Sequence, residues 1–195
     1  MEEQAETAFW QNPVEEGHSM EKREIEAIVR EMLGAAAGSR ETGSIQTGTD
    51  LTAANGGLVR TSMPLALAVK LIEKIEAKAA EWDMRVVTAV SDASARPVAI
   101  HCMDGAYIGS YDVALNKTYT SIAFQMSTAQ LGYLSQPGES LYGIQFTNDG
   151  KIVIFGGGEV LKKEGVIIGA LGVSGGSAEQ DTALAAYGKS VFETL

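Results

Sequence analysis

Hydrophobic positions along the chain recur with two periods, and the change from one to the other divides it. Between Met20 and Leu33, the residues Ile25, Ile28, Val29, Met32 and Leu33 fall at i, i+3, i+4, i+7 and i+8, one apolar face of an α-helix. Ser19 is placed to cap that helix and Gly34 to end it. A second helical run, Leu65, Ala68, Ile72, Ile75 and Ala79, follows Ser62 and Pro64, read as a cap and an early-helix proline, and continues to about Trp82. The period then shortens. Residues 85–91 and 97–102 predict two strands joined as a hairpin by a turn over 92–96. A helix from Tyr111 to Phe124 comes next, with a break at Gln136-Pro137-Gly138. Residues 151–155, 159–162 and 166–173 predict three more strands, and a helix from Ala178 to Phe192 closes the chain. Short strands joined by hairpins and flanked by helices predict an α+β domain over residues 62–195, with a mostly antiparallel sheet of about five strands.

The segments around the first helix have no such period. Residues 1–19 are acidic and interrupted by Pro13 and Gly17, which predicts a tail without a fixed fold, and makes Met20 a second candidate start. Residues 34–61 are dominated by Gly, Ala, Ser and Thr and predict a flexible linker with a span of roughly 30 Å. A helix as short as 20–33 is marginal alone in water. It therefore needs a docking surface, on its own domain or on another protein.

Charge follows the same division. Residues 1–31 hold nine acidic and three basic side chains, and residues 63–195 hold fourteen and ten. A net charge of −10 argues against nucleic acid as a partner, because phosphate binding is driven by clustered Lys and Arg. No apolar run reaches the roughly 18 residues of a membrane span and no secretory signal opens the chain, so the reading is a cytoplasmic protein with no membrane partner. Cys102 is the single cysteine, which excludes an internal disulfide framework.

Candidate chemistry is sparse. The two histidines are His18, in the acidic tail, and His101, followed by Cys102 and Met103 at a strand end. Strand alternation turns His101 and Met103 to one face and Cys102 to the other. This is either a half-buried strand end or a source of one axial ligand for an iron porphyrin. Gly175 and Gly176 open the last helix, either as turn residues or as an N-terminus able to hold a carboxylate. No nucleophile, base and orienting group stand together, so binding is favoured over catalysis.

Residues 63–190 resemble the GlcG/HbpS family, and within it the C-terminal domain of PduO-like proteins. The likeness is carried by Met103-Asp104-Gly105-Ala106, by Ala114-x-x-Lys117-x-x-Thr120, by Gln136-Pro137-Gly138 with Leu141-Tyr142-Gly143, by Phe155-Gly156-Gly157-Gly158, and by the run from Gly169 to Asp181. It implies a profilin-like fold, a homo-oligomer and, in some members, haem or a related tetrapyrrole. By the Lys-x-x-Thr pattern it implies Thr120 as an iron ligand beside Lys117. The histidine of PduO-like members falls at Ile100, with His101 one residue on and Cys102 in place of an arginine. Residues 20–33 resemble an encapsulation peptide of bacterial microcompartments. Together these imply a haem-binding cargo protein of a microcompartment lumen, recruited to shell or core enzymes through Ile25, Ile28, Val29, Met32 and Leu33. A corrinoid is the alternative cofactor, or there is none. The alternative functions are an enzyme acting on a hydroxy acid or aldehyde held at Gly175 and Gly176, and a purely structural cargo protein.

Overall fold

The computed structural model describes residues 62–195. The acidic tail, the helix at 20–33 and the linker lie outside the described residues. Helix α1 (Leu65–Glu81) leads into a hairpin of β1 (Val87–Asp92) and β2 (Pro97–Cys102). Helices α2 (Ser110–Phe124) and α3 (Thr128–Leu134) follow, then two single 3-10 turns, strands β3 (Gly158–Lys163) and β4 (Val166–Ser174), and helix α4 (Ala178–Phe192). The sheet has the order β2-β1-β4-β3 and every pairing is antiparallel.

Two unlike layers cover it. On one face α1 and α4 pack against each other and the strands, burying Leu71, Ile72, Ile75, Val90, Leu171, Val173 and Leu184. This is the main core. On the other face α2 lies over β4, β1 and β3, and its packing is inverted. It buries Ser110, Ala114, Lys117, Thr118, Thr120 and Ser121, while Leu115, Tyr119 and Ile122 stay half-exposed and Tyr111 is exposed. Small side chains are needed on the inner face because α2 sits close to the sheet: a Cβ at Gly172 of β4 would overlap the carbonyl of Ala114.

The hairpin turn is organised by one buried carboxylate. Asp92 Oδ1 accepts from the backbone N–H groups of Ser94 (2.8 Å) and Arg96 (3.0 Å), and Oδ2 from the Arg96 guanidinium at 3.0 and 2.7 Å. Burial alone would raise the carboxyl, but these donors outweigh it and hold Asp92 below its ordinary value.

The sheet has four strands, not about five. Residues 151–155 read as a strand, and Ile152 and Val153 are buried, yet the segment joins no ladder. Its backbone is held instead by a helix side chain: Thr120 Oγ1 accepts from Val153 N–H at 3.0 Å and lies 3.3 Å from the Lys151 carbonyl. Helix α3, absent from the hydrophobic pattern, is capped by Ser127, whose hydroxyl accepts from Gln130 N–H. Its Gly132 lies against the Ile154 carbonyl so closely that a Cβ would clash. Helix α1 has Pro64, not Ser62, at its cap position and no side-chain cap.

Candidate functional site

Lys117 is the largest fully buried side chain of the domain. Its Nζ donates to the Val173 carbonyl at 2.7 Å and to Asp181 Oδ2 at 2.8 Å, and the Phe155 ring centroid lies 5.0 Å away. The lysine starts on α2 and the aspartate on α4, so the pair ties together the two layers on opposite faces of the sheet. It passes the sheet at Gly157, where φ is +107° and a Cβ would lie 2.6 Å from Nζ and 2.9 Å from the Asp181 Cβ. The flanking glycines also make room: Gly156 for Thr182 of α4, and Gly158 for Ser121 and Thr128. The Phe155-Gly156-Gly157-Gly158 motif is thus a passage for a buried cation, and only Gly157 among its glycines has a positive φ.

Burial pushes the Lys117 ammonium below its ordinary value and the Asp181 carboxyl above its own, because desolvation outweighs the mutual attraction that opposes both shifts. Removing water from each ion costs several kcal/mol, so the pair is a constraint on geometry and a poor source of stability.

The same carboxylate settles where Gly175 and Gly176 point. Asp181 Oδ1 accepts from Gly176 N–H at 2.9 Å, and the nearby Gly175 N–H also favours the ionised carboxylate. Ser177 and Gln180 close the N-terminus of α4 with a reciprocal capping box. The donors read as a site for a ligand carboxylate are therefore taken by the chain's own aspartate. An external anion at Gly175 and Gly176 would have to compete with that carboxylate. Lys117 and Thr120 are engaged in the same way. The Lys117 donors are spent on Val173 and Asp181, and the buried Thr120 hydroxyl lies 2.8 Å from the Asn116 carbonyl besides its contacts to Lys151 and Val153. Both are buried and hydrogen-bonded within the chain.

His101 stands elsewhere. It lies on the α1 face of edge strand β2, with Nδ1 3.1 Å from Glu76 Oε1 and its side chain 37% exposed. Met103 follows on that face and packs against the main core. Thr120 and Lys117 belong to α2 on the opposite face, so the structure does not bring the predicted ligands together within one chain. Ile100 does face α2, packing with Val87, Ala89 and Ala114. Beyond it Tyr107 and Ile108 are 73% and 96% exposed. A cleft of about 320 Å³ near the end of α4, lined in part by Leu67, Lys162 and Phe192, contains none of the predicted residues. Among the described residues no three His, Cys, Asp or Glu side chains gather to hold a metal ion, and no helix is long and apolar enough to cross a membrane.

Two residues escaped the sequence reading. Asp181 entered only as the last residue of the run from Gly169, because its partner is 64 positions away. Glu76 was not singled out at all, and its meeting with His101 depends on how α1 crosses β2. For the buried pair, Lys117→Met and Asp181→Asn should each cost about 3–5 kcal/mol in urea unfolding, by leaving one buried charge alone. The double variant should recover at least about 1 kcal/mol relative to the sum; strictly additive losses would show that the two side chains are not coupled.

Comparison with known proteins agrees with this architecture. The chain is 42% identical over 134 residues to an uncharacterized 15.0 kDa protein in the dhaT-dhaS intergenic region of Citrobacter freundii, covering 69% of this chain and 94% of that one. It is 39% identical over 108 residues to the corrinoid adenosyltransferase PduO of Citrobacter freundii, a match spanning 55% of this chain but only 32% of that enzyme. Among solved structures, a PduOC:heme complex aligns with a TM-score of 0.64 at 32% identity, covering 66% of this chain and 94% of that one. Residues 63–189 match the family model described as haem degrading protein HbpS-like, and the chain belongs to that family.

Proposed function

We propose that this chain binds haem or a closely related tetrapyrrole through the edge of its sheet, as a cargo protein of a bacterial microcompartment. The observation that carries the ligand reading is the state of His101: a partly exposed imidazole with one ring nitrogen engaged by Glu76 and the other without a hydrogen bond among the described residues. That chemistry fits an iron porphyrin, which needs one axial donor and accepts imidazole. His101 is favoured over Thr120 and Lys117, which are buried and hydrogen-bonded within the chain. A relative solved as a heme complex supports the same reading. When bound, the iron supplies the redox chemistry; the chain's own residues hold and orient it.

Self-association belongs to the proposal. The inverted α2 leaves Tyr111, Leu115, Tyr119 and Ile122 along its outer side, near exposed Tyr107 and Ile108, an apolar surface that the domain covers only in part. Recruitment to the microcompartment shell or its core enzymes rests on the apolar stripe Ile25, Ile28, Val29, Met32 and Leu33, too short to be stable without a partner. The hydroxy acid or aldehyde reading is weakened, because Asp181 occupies the helix N-terminus it would use.

Hemin titration of the full chain should give a saturable, shifted Soret band, and a spectrum equal to free hemin would refute the ligand reading. Deletion of residues 1–34 should leave the thermal unfolding of the domain unchanged and abolish co-purification with shells; undiminished packaging would refute the recruitment reading.

A further inference from the structure

We infer that Glu76 is a positioning residue that fixes the tautomer of His101 and so bares Nε2 as the single nitrogen donor of the site. This rests on the tetrapyrrole reading above and goes beyond it by naming what prepares the ligand. An ionised carboxylate only accepts hydrogen bonds. With Glu76 Oε1 3.1 Å from Nδ1, the neutral imidazole must carry its proton on Nδ1, which leaves the Nε2 lone pair free. A histidine that donates its other N–H to a carboxylate is held in ring orientation and made a more basic ligand.

The surroundings agree with an unfinished site. Thr88 lies directly opposite His101 in the β1–β2 ladder, on the same face, and its buried hydroxyl has no hydrogen-bond partner. β2 is an edge strand, so nothing in the sheet continues beyond His101. Both side chains of the dyad are partly exposed, His101 at 37% and Glu76 at 27%, so the imidazole is open to solvent. Lys117 and Asp181 show the contrast: there each donor and acceptor is closed within the chain.

The test uses the full chain and two readouts. With only two histidines in the sequence, loss of one set of signals in His101→Ala assigns the imidazole ¹⁵N shifts. Without ligand, Nε2 of His101 should fall in the unprotonated range, and Glu76→Ala, which removes the acceptor, should return it to the Nε2–H form. With hemin, His101→Ala should lose the imidazole-ligated spectrum. Glu76→Gln, which keeps an amide oxygen for Nδ1–H but removes the charge, should retain that spectrum and move the midpoint potential to a more positive value. A tautomer unmoved by Glu76→Ala overturns the positioning role. A hemin spectrum identical in wild type and His101→Ala overturns the ligand role while haem binding itself stands. No hemin uptake by the wild type overturns both readings.

Discussion

A lysine ammonium with no exposed atom dictates much of this domain. Lys117 must find acceptors where water is absent, and the fold supplies them from three directions: a carbonyl at the end of β4, a carboxylate from α4, and an aromatic face from Phe155. Each supplier is constrained in return. Gly157 can bear no side chain, Asp181 must sit within reach of the first turn of α4, and that helix must start where the backbone N–H of Gly176 reaches the same carboxylate. Because the pair crosses from one layer to the other, it fixes how α2 and α4 stand relative to the sheet end. Its worth is in that specification, since the desolvation of both ions outweighs their attraction.

The consequence for function is a displacement. Groups that look like a ligand site by type, namely a lysine, a threonine and a glycine-rich helix start, hydrogen-bond within the chain and help hold the layers together. The partly exposed groups lie at the periphery: the outer side of α2, and the edge of β2 with His101. The inversion of α2 follows from the same cause, since a helix that carries Lys117, Thr118, Thr120 and Ser121 inward has its larger apolar residues turned outward.

Local signals were legible in the sequence, and long-range ones were not. The β1–β2 turn was readable because Asp92 acts on neighbours two and four residues away, and the last helix because its start and stop are encoded within a turn. The run at 151–155 misled because burial and β-branched residues are common to strands and to a segment clasped by a helix hydroxyl. Helix α3 is two turns long and shows too little period to detect. At the candidate site, His101 stood out by its rarity. Its partner did not: Glu76 is 25 positions away, on a helix rich in outward-facing charges.

Acylation of the native full chain with acetic anhydride, read out lysine by lysine by mass spectrometry, tests the central claim most directly. The account predicts that Lys70, Lys74, Lys162 and Lys163 are modified readily, while Lys117 stays unmodified with or without hemin until the domain unfolds. Modification of Lys117 in the folded protein at the rate of Lys162 would mean that its ammonium is open to ligands, and would contradict the assignment of that residue to the internal clasp.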